Sequence, residues 1–398
     1  HTDSSAASDV YKRQKKYYIL PLFVFFLTIS FSQKKKNASE ELKSSDLTGL
    51  KFRSVGPAFM SGRIADIAIN PNNENEWYVA VGSGGVWKTV NSGTTWNPIA
   101  DDQPFYSTGC ITIDPHNSSK IWLGTGENVG GRHVGIGHGI YVSENGGKNW
   151  KSMGLKNSEH ISKIIVSPQD PNTVFVASQG PLWSPGGERG LYRTDNGGKT
   201  WKNVLSVNKW TGVTDIAIDH NNPNILYAAT WQRHRNVASY MGGGPGTSIY
   251  KSTDHGISWT EIKNGLPGSN LGKIGLAISP FDSTILYAAV ETDRRNGAVY
   301  KTTNSGGSWK KMSNTVSGAT GPHYYQELVA SPHVFDKIYL MDTKVQVSEN
   351  GGKDFYIMNE SDKHVDNHSL TFKMSDPNYL LIGTDAVSYT HLRAHETS

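Results

Sequence analysis

The chain has 398 residues, with 42 Gly, 11 Trp, 18 Tyr, 36% hydrophobic and 19% charged residues. This glycine-rich, aromatic-rich and charge-poor balance excludes a helical bundle, a coiled coil or a disordered tail, and fits many short strands joined by tight turns. A formal charge of +4 without basic clusters argues against nucleic-acid binding, and the single Cys110 excludes a disulfide framework or a cysteine-rich metal site.

Both ends read as foreign to the protein. Ser4–Gln14 (SSAASDVYKRQ) resembles the translation of a transposase sequencing adapter, and Val387–Thr397 (VSYTHLRAHET) resembles that of the opposite adapter. Residues 1–14 and 386–398 are therefore expected to be adapter-derived, and the native part to be a fragment of a longer protein. Lys15 and Lys16 precede an apolar run from Tyr17 to Ile29 and then Ser30-Phe31-Ser32. A positive start, a short apolar region and a small-x-small site predict a secretory signal peptide over 15–32. The run is short of the ~20 apolar residues of a membrane span. A secreted, cell-surface or periplasmic location is expected, with no membrane span in the mature fragment. Residues 33–49 are polar and lysine-rich, as in a solvated linker.

From Arg63 onward a pattern recurs: Ser/Thr-x-Asp/Asn-x-Gly-x-x-Trp/Phe. It runs Thr89-Asn91-Gly93-Trp96, Ser143-Asn145-Gly147-Trp150 and Thr194-Asn196-Gly198-Trp201. It continues as Ser252-Asp254-Gly256-Trp259, Thr302-Asn304-Gly306-Trp309 and Ser348-Asn350-Gly352-Phe355. The differences between successive glycine numbers are 54, 51, 58, 50 and 46. Periods near 50, with about four strands per unit, predict propeller blades. Alternating strands before Pro/Asn/Asp turns support this, as in Ile67-Ala68-Ile69-Asn70-Pro71 and Ile216-Ala217-Ile218-Asp219. The predicted fold is all-β: a propeller over 50–385 with six complete four-stranded blades and a truncated seventh. In each repeat the Asp or Asn is expected to cap backbone N–H groups two residues on, with Gly supplying positive φ and Trp a buried plate. Mostly amides, these turns make poor calcium cages.

The repeat resembles the Asp-box, or BNR repeat, of sialidases, sortilin ectodomains and two-propeller xyloglucanases. Phe52-Arg53-Ser54-Val55-Gly56-Pro57 with Ser61-Gly62-Arg63, Val81–Trp87 and Val365-Asp366-Asn367-His368 resemble large secreted bacterial proteins labelled glycosyl hydrolase or sortilin-N-terminal-like. In the xyloglucanases a catalytic Asp precedes a Gly-Gly pair in the first blade. The matching position here is Gly82, ahead of Gly84 and Gly85, so that carboxylate is missing.

Blade topology separates two faces. Short, similar turns occupy one; the connections between second and third strands, and between blades, occupy the other. The second face carries the long, dissimilar loops, where function on a rigid scaffold usually sits. Its polar and aromatic residues suit a glycan or peptide ligand. The candidate binding residues are Glu127, Arg132, His133, His160, Trp183 and Trp231. Arg233, His323, Tyr324, Tyr325, His364, Asp366 and His368 complete the set. The run His364-x-Asp366-x-His368 gathers three metal-ligand types, but a hydrogen-bonded loop cluster is the reading preferred, with no metal or cofactor expected. No catalytic residue is assigned, and Cys110, opening an apolar strand, reads as a buried thiol.

The expected function is a secreted propeller that binds an extracellular polymer, a glycan, as the N-terminal half of a glycoside hydrolase. The alternative is a sortilin-like module that binds protein or peptide without catalysis.

Overall fold

The computed structural model describes residues 62–131, 134–293, 296–315 and 327–385. They belong to a compact unit spanning Pro57–Ser398; the other unit, His1–Gly56, contains the expected leader and linker and lies outside the described residues, as do 386–398.

Regular structure among the described residues is entirely β-strand, and every pairing within the sheets is antiparallel. The first four-stranded sheet contains Ile64–Ile69, Trp77–Val81, Gly85–Thr89 and Asn97–Pro98, in that order. The second holds Thr108–Asp114, Asn117–Thr125, Ile140–Ser143 and Lys151–Ser152, and the third Ile161–Val166, Val174–Ser178, Gly190–Thr194 and Lys202–Leu205. Thr211–Ile218, Leu226–Gln232, Ile249–Ser252 and Thr260–Glu261 form the fourth, with a small extra hairpin of His234–Arg235 and Tyr240–Met241 inserted before its third strand. The fifth contains Ile274–Ile278, Leu286–Asp293, Asn296–Thr302 and Lys310–Thr315; the sixth, Leu328–Ala330, Ile338–Leu340, Gln346–Ser348 and Tyr356–Ile357. A last sheet has two strands, Asn367–Phe372 and Leu380–Thr384. Successive sheets that each pair in sequence order and stack face to face are the architecture of a β-propeller.

The period of two explains the core. Alternate residues of a strand point to opposite faces, and here both faces are covered. In the first sheet Tyr78 and Ala80 pack with Ile111, Ile121 and Leu123 of the second, whereas Trp77, Val79 and Val81 pack with Tyr379 and Leu381 of the last. The last sheet also meets the sixth, where Leu370, Phe372, Leu380 and Ile382 lie against Tyr339, Met341 and Val347. Cys110 sits in the cluster between the second and third sheets, and burial pushes its thiol well up.

The repeated turn is built by side chains. Asn91 Oδ1 accepts from Thr95 N–H at 2.9 Å, and Thr89 Oγ1 accepts from Gly93 N–H at 3.0 Å. The same pair of bonds recurs at Asn196–Thr200 with Thr194–Gly198, and at Asn304–Ser308 with Thr302–Gly306. The amide thus reaches four residues on, rather than the two expected; the bond two residues on runs from its own N–H back to the hydroxyl. Gly256 shows why glycine is needed: φ is +75°, and a Cβ there would lie 2.4 Å from the Phe175 ring.

The motif tryptophans bind sheet to sheet. Trp150 donates to Ile99 O of the first sheet at 2.9 Å, Trp201 to Met153 O of the second at 2.7 Å, and Trp309 to Ile262 O of the fourth at 3.3 Å. Each acceptor lies three residues beyond the tryptophan of the preceding sheet. Trp259 departs from this and donates to Gly256 O of its own turn.

First-strand side chains supply a second set of links. Asp66 accepts from Ile67 N–H at 2.8 Å and, across to the second sheet, from Ile111 N–H at 2.9 Å. Thr112 carries the pattern on by donating to Ile164 O of the third at 2.9 Å. Asp215 repeats the Asp66 arrangement, with Ile216 N–H at 2.9 Å and Leu276 N–H of the fifth sheet at 2.7 Å, and adds Lys163 at 2.7 Å. The shared run Asp-Ile-Ala-Ile at 66–69 and 215–218 is the local sequence behind both.

Candidate functional site

The connections between second and third strands, and those from one sheet to the next, leave the sheets at a common edge. Three groups of side chains gather there.

Glu127 follows the second strand of the second sheet and is buried. Its Oε1 lies 3.0 Å from Arg63 NH1, and its Oε2 accepts from Gly135 N–H at 2.8 Å. A Cβ placed on Gly82 would stand 2.6 Å from Oε1. Glu127, from the neighbouring sheet, thus fills the space that a side chain at position 82 would need. Behind it, buried His160 places Nδ1 2.9 Å from Glu127 O. Burial, then the charges of Arg233 and Arg189, holds this imidazole well below its ordinary pKa. The ring is neutral, so Nδ1 carries the proton and donates it to the carbonyl.

Arg189 and Arg233 shape the second group, and both are buried. Arg189 gives all its donors to backbone carbonyls: Nε to Gly186, NH1 to Gln179 and Trp210, NH2 to Pro181 and Ser184. It clamps the loop between Ser178 and Gly190, and burial draws its pKa down to about 10. That loop is also tied to its neighbours by Gly186 N–H to Lys209 O at 2.8 Å and Arg235 N–H to Leu182 O at 3.0 Å. It presents Trp183 with 51% of its surface exposed. Nearby, the half-buried rings of Trp210 and His234 stand 4.1 Å apart, centroid to centroid. Arg233, by contrast, donates to Val129 O at 3.2 Å and lies 5.0 Å over the ring of buried Trp231. Trp231 itself donates to Gly242 O at 2.8 Å.

The third group lies at the last sheet. His364 is half exposed, and its Nδ1 is 3.2 Å from Asp385 Oδ1. Asp366 has a φ of +64°, and its carbonyl accepts from Asp385 N–H at 3.2 Å. Burial and the neighbouring charge of Asp366 hold the Asp385 carboxyl above its usual range. His368 does not join them. It is buried, and burial with the charges of Arg63 and Lys273 depresses its pKa well below the usual imidazole value. The spacing His364-x-Asp366-x-His368 is thus divided, and Asp385 stands where the sequence pattern would have put His368.

Glu127, His160, Trp231, Arg233 and His368 are accordingly interior groups, whereas Trp183 and His364 face solvent and Asp366 is partly covered. Arg132, His133, His323, Tyr324 and Tyr325 lie outside the described residues. Arg63, Trp210 and Asp385 were not singled out from sequence as ligand-binding residues. Arg63 belongs to the Ser61-Gly62-Arg63 stretch that carries the resemblance, Asp385 sits at a strand end beside a loop, and Trp210 closes a short polar connection.

Comparison with known proteins fits this architecture. The family described as "Sortilin, neurotensin receptor 3" matches residues 138–265. A xyloglucanase of Hypocrea jecorina is 27% identical over 258 residues, 56% of this chain and 28% of that protein. The chain therefore spans under a third of the length of this curated relative. The xyloglucanase from Xanthomonas campestris superposes with a TM-score of 0.59 at 16% identity, over 82% of this chain and 51% of the other. YCF48 bound to D1 peptide gives 0.51 at 13% identity, over 83% and 92%. No helix among the described residues is long and apolar enough to cross a membrane.

Proposed function

We propose that this chain, a β-propeller protein related to the xyloglucanases and sharing sequence features of the sortilin family, binds an extracellular glycan through its loop face. The observation that carries the reading is the Trp183 platform. A half-exposed indole is costly to present on a mobile loop, and here Arg189 spends its five donors on fixing that loop's backbone. A rigid aromatic face beside the Trp210–His234 pair offers apolar area to the C–H face of a sugar ring at low entropic cost. The xyloglucanase relationship supports a plant-type β-glucan as the polymer. Glu127, His160, Trp231 and Arg233 then act from behind, holding the loops, while Arg132, His133, His323, Tyr324 and Tyr325 remain proposed contacts.

The finer domain reading is proposed with it: a signal peptide over 15–32, a linker over 33–49, and a propeller over 50–385. Its six four-stranded sheets are complete blades, and the two-stranded sheet opens a seventh. Glycan cleavage is the accompanying proposal, as one half of a longer hydrolase. Glu127, which lies beside Gly82 and pairs with Arg63, is the carboxylate proposed to stand in for the missing first-blade one.

The test is affinity electrophoresis or calorimetry with soluble xyloglucan. Trp183→Ala should weaken binding by at least about tenfold, equivalent to ~1.4 kcal/mol, with melting unchanged. Unaltered affinity in this variant would remove the platform from the reading. A sortilin-like module is the second reading, favoured by the structural likeness to a peptide-bound propeller. Capture of peptides with no affinity for any β-glucan would select it.

A further inference from the structure

We propose that His364, Asp366 and Asp385 form a binding site for one divalent transition-metal ion of zinc-like preference, distinct from the aromatic platform. The residues come from two separate segments. His364 and Asp366 end the connection from the sixth sheet, and Asp385 follows the second strand of the last sheet. Backbone bonds hold the segments together: Asp385 N–H to Asp366 O at 3.2 Å, and Asp366 N–H to Thr343 O at 2.8 Å.

One ligand atom from each side chain lies within 4.8 Å of the others. Ligands bonded to a single zinc ion at about 2.0–2.2 Å stand at most ~4.4 Å apart, so a small side-chain adjustment closes the set. Asp385 Oδ1 is buried and receives no hydrogen bond among the described residues. His364 Nδ1 stands 3.2 Å from that oxygen and 2.7 Å from Val365 O; a cation bound through Nδ1 takes the tautomer with the proton on Nε2. A buried acceptor oxygen, a second carboxylate beside it and an imidazole at the rim form a donor set that a cation completes. One imidazole with two carboxylates suits zinc or a neighbouring first-row ion; calcium requires six to eight oxygens and makes no use of the histidine.

Calorimetric titration of the full chain with ZnCl2, with MnCl2 and CaCl2 in parallel, tests the proposal. One equivalent of zinc should bind and raise the melting temperature, as any ligand selective for the folded state does. His364→Ala and Asp366→Asn should each weaken zinc binding at least about tenfold, while melting without metal stays as in the wild type. His220→Ala, an exposed histidine in a turn of the fourth sheet, should leave zinc affinity unchanged. Absence of zinc binding, equal affinity in His364→Ala, or calcium binding tighter than zinc would each overturn the assignment. Xyloglucan binding, measured alongside, reports on the Trp183 platform alone, so either proposal can fail without the other.

Discussion

Asp215→Ala should be among the most damaging single changes in this chain, because one carboxylate joins three sheets. Its Oδ2 accepts from the buried Leu276 N–H of the fifth sheet, and its Oδ1 accepts from Ile216 N–H and Lys163 of the third. Removing it leaves the Leu276 N–H without its acceptor in a strand that is buried on both faces, worth about 1.5–3 kcal/mol for a bond to a charged acceptor. Lys163 keeps 43% of its side chain exposed, so solvent screens the ion pair and its share is about 1 kcal/mol or less. The expected total is about 1.5–4 kcal/mol. For a domain of roughly 300 residues, unfolding at ~2.1 cal/mol/K per residue turns this into a fall in Tm of about 2–6 °C. Calorimetry or a reversible urea titration measures it. Asp215→Asn retains an oxygen for Leu276 and should recover at least about half the loss. Lys163→Met, which removes only the ion pair, should cost about 1 kcal/mol or less. If Lys163→Met proved as costly as Asp215→Ala, the backbone bond would not be the main term and the reasoning would fail.

Three further outcomes are expected. Asn196→Ala removes the acceptor for Thr200 N–H and should lower stability by about 0.5–2 kcal/mol in urea denaturation, as lost caps do, with xyloglucan affinity unchanged. Trp201→Ala deletes an indole that donates to Met153 O and meets Trp122 edge-on at 6.4 Å; because it is only partly buried, about 3 kcal/mol is expected by the same assay. His368 is held neutral, its folded pKa lying below the unfolded value, so below pH ~6.5 the unfolded chain gains a proton that the folded one refuses. Its contribution to stability is complete above that pH and declines as pH falls, by up to about 1.4 kcal/mol per unit. Glu327, partly buried and with its pKa raised by desolvation, titrates in the opposite sense, so the readout is the difference in slope between wild type and His368→Asn from pH 7.5 to 5.5. Parallel slopes would show that His368 takes up its proton in the fold.

The sheets were legible in the sequence because their determinants are local. A hydroxyl, an amide and a glycine within five residues make the turn wherever they occur, and alternation on either side assigns the strands. Side-chain direction at the loop face was not legible, since partners distant in sequence decide it. Trp231 and Arg233 bracket the end of a strand in a long connection, which reads as surface. The inserted hairpin then covers the indole and supplies Gly242 O, and Val129, over a hundred residues earlier, receives the guanidinium. His364, Asp366 and His368 would share one side only along an unbroken strand. The left-handed backbone at Asp366 ends that regularity, the strand begins at Asn367, and His368 turns inward.

The indole bonds between sheets give the molecule a direction. Trp150 secures the outer strand of the first sheet, Trp201 that of the second and Trp309 that of the fourth, so fastening runs from each unit back to its predecessor. Among the described residues the indole half of this joint is made by the second, third and fifth repeats and the carbonyl half by the first, second and fourth, so the second repeat carries both. Copying the second unit would therefore regenerate the same joint on both sides, with no compensating substitution elsewhere. Lineages that carry this turn can change their number of blades by unequal recombination at the DNA level, and the protein would meet each change with contacts it already possesses.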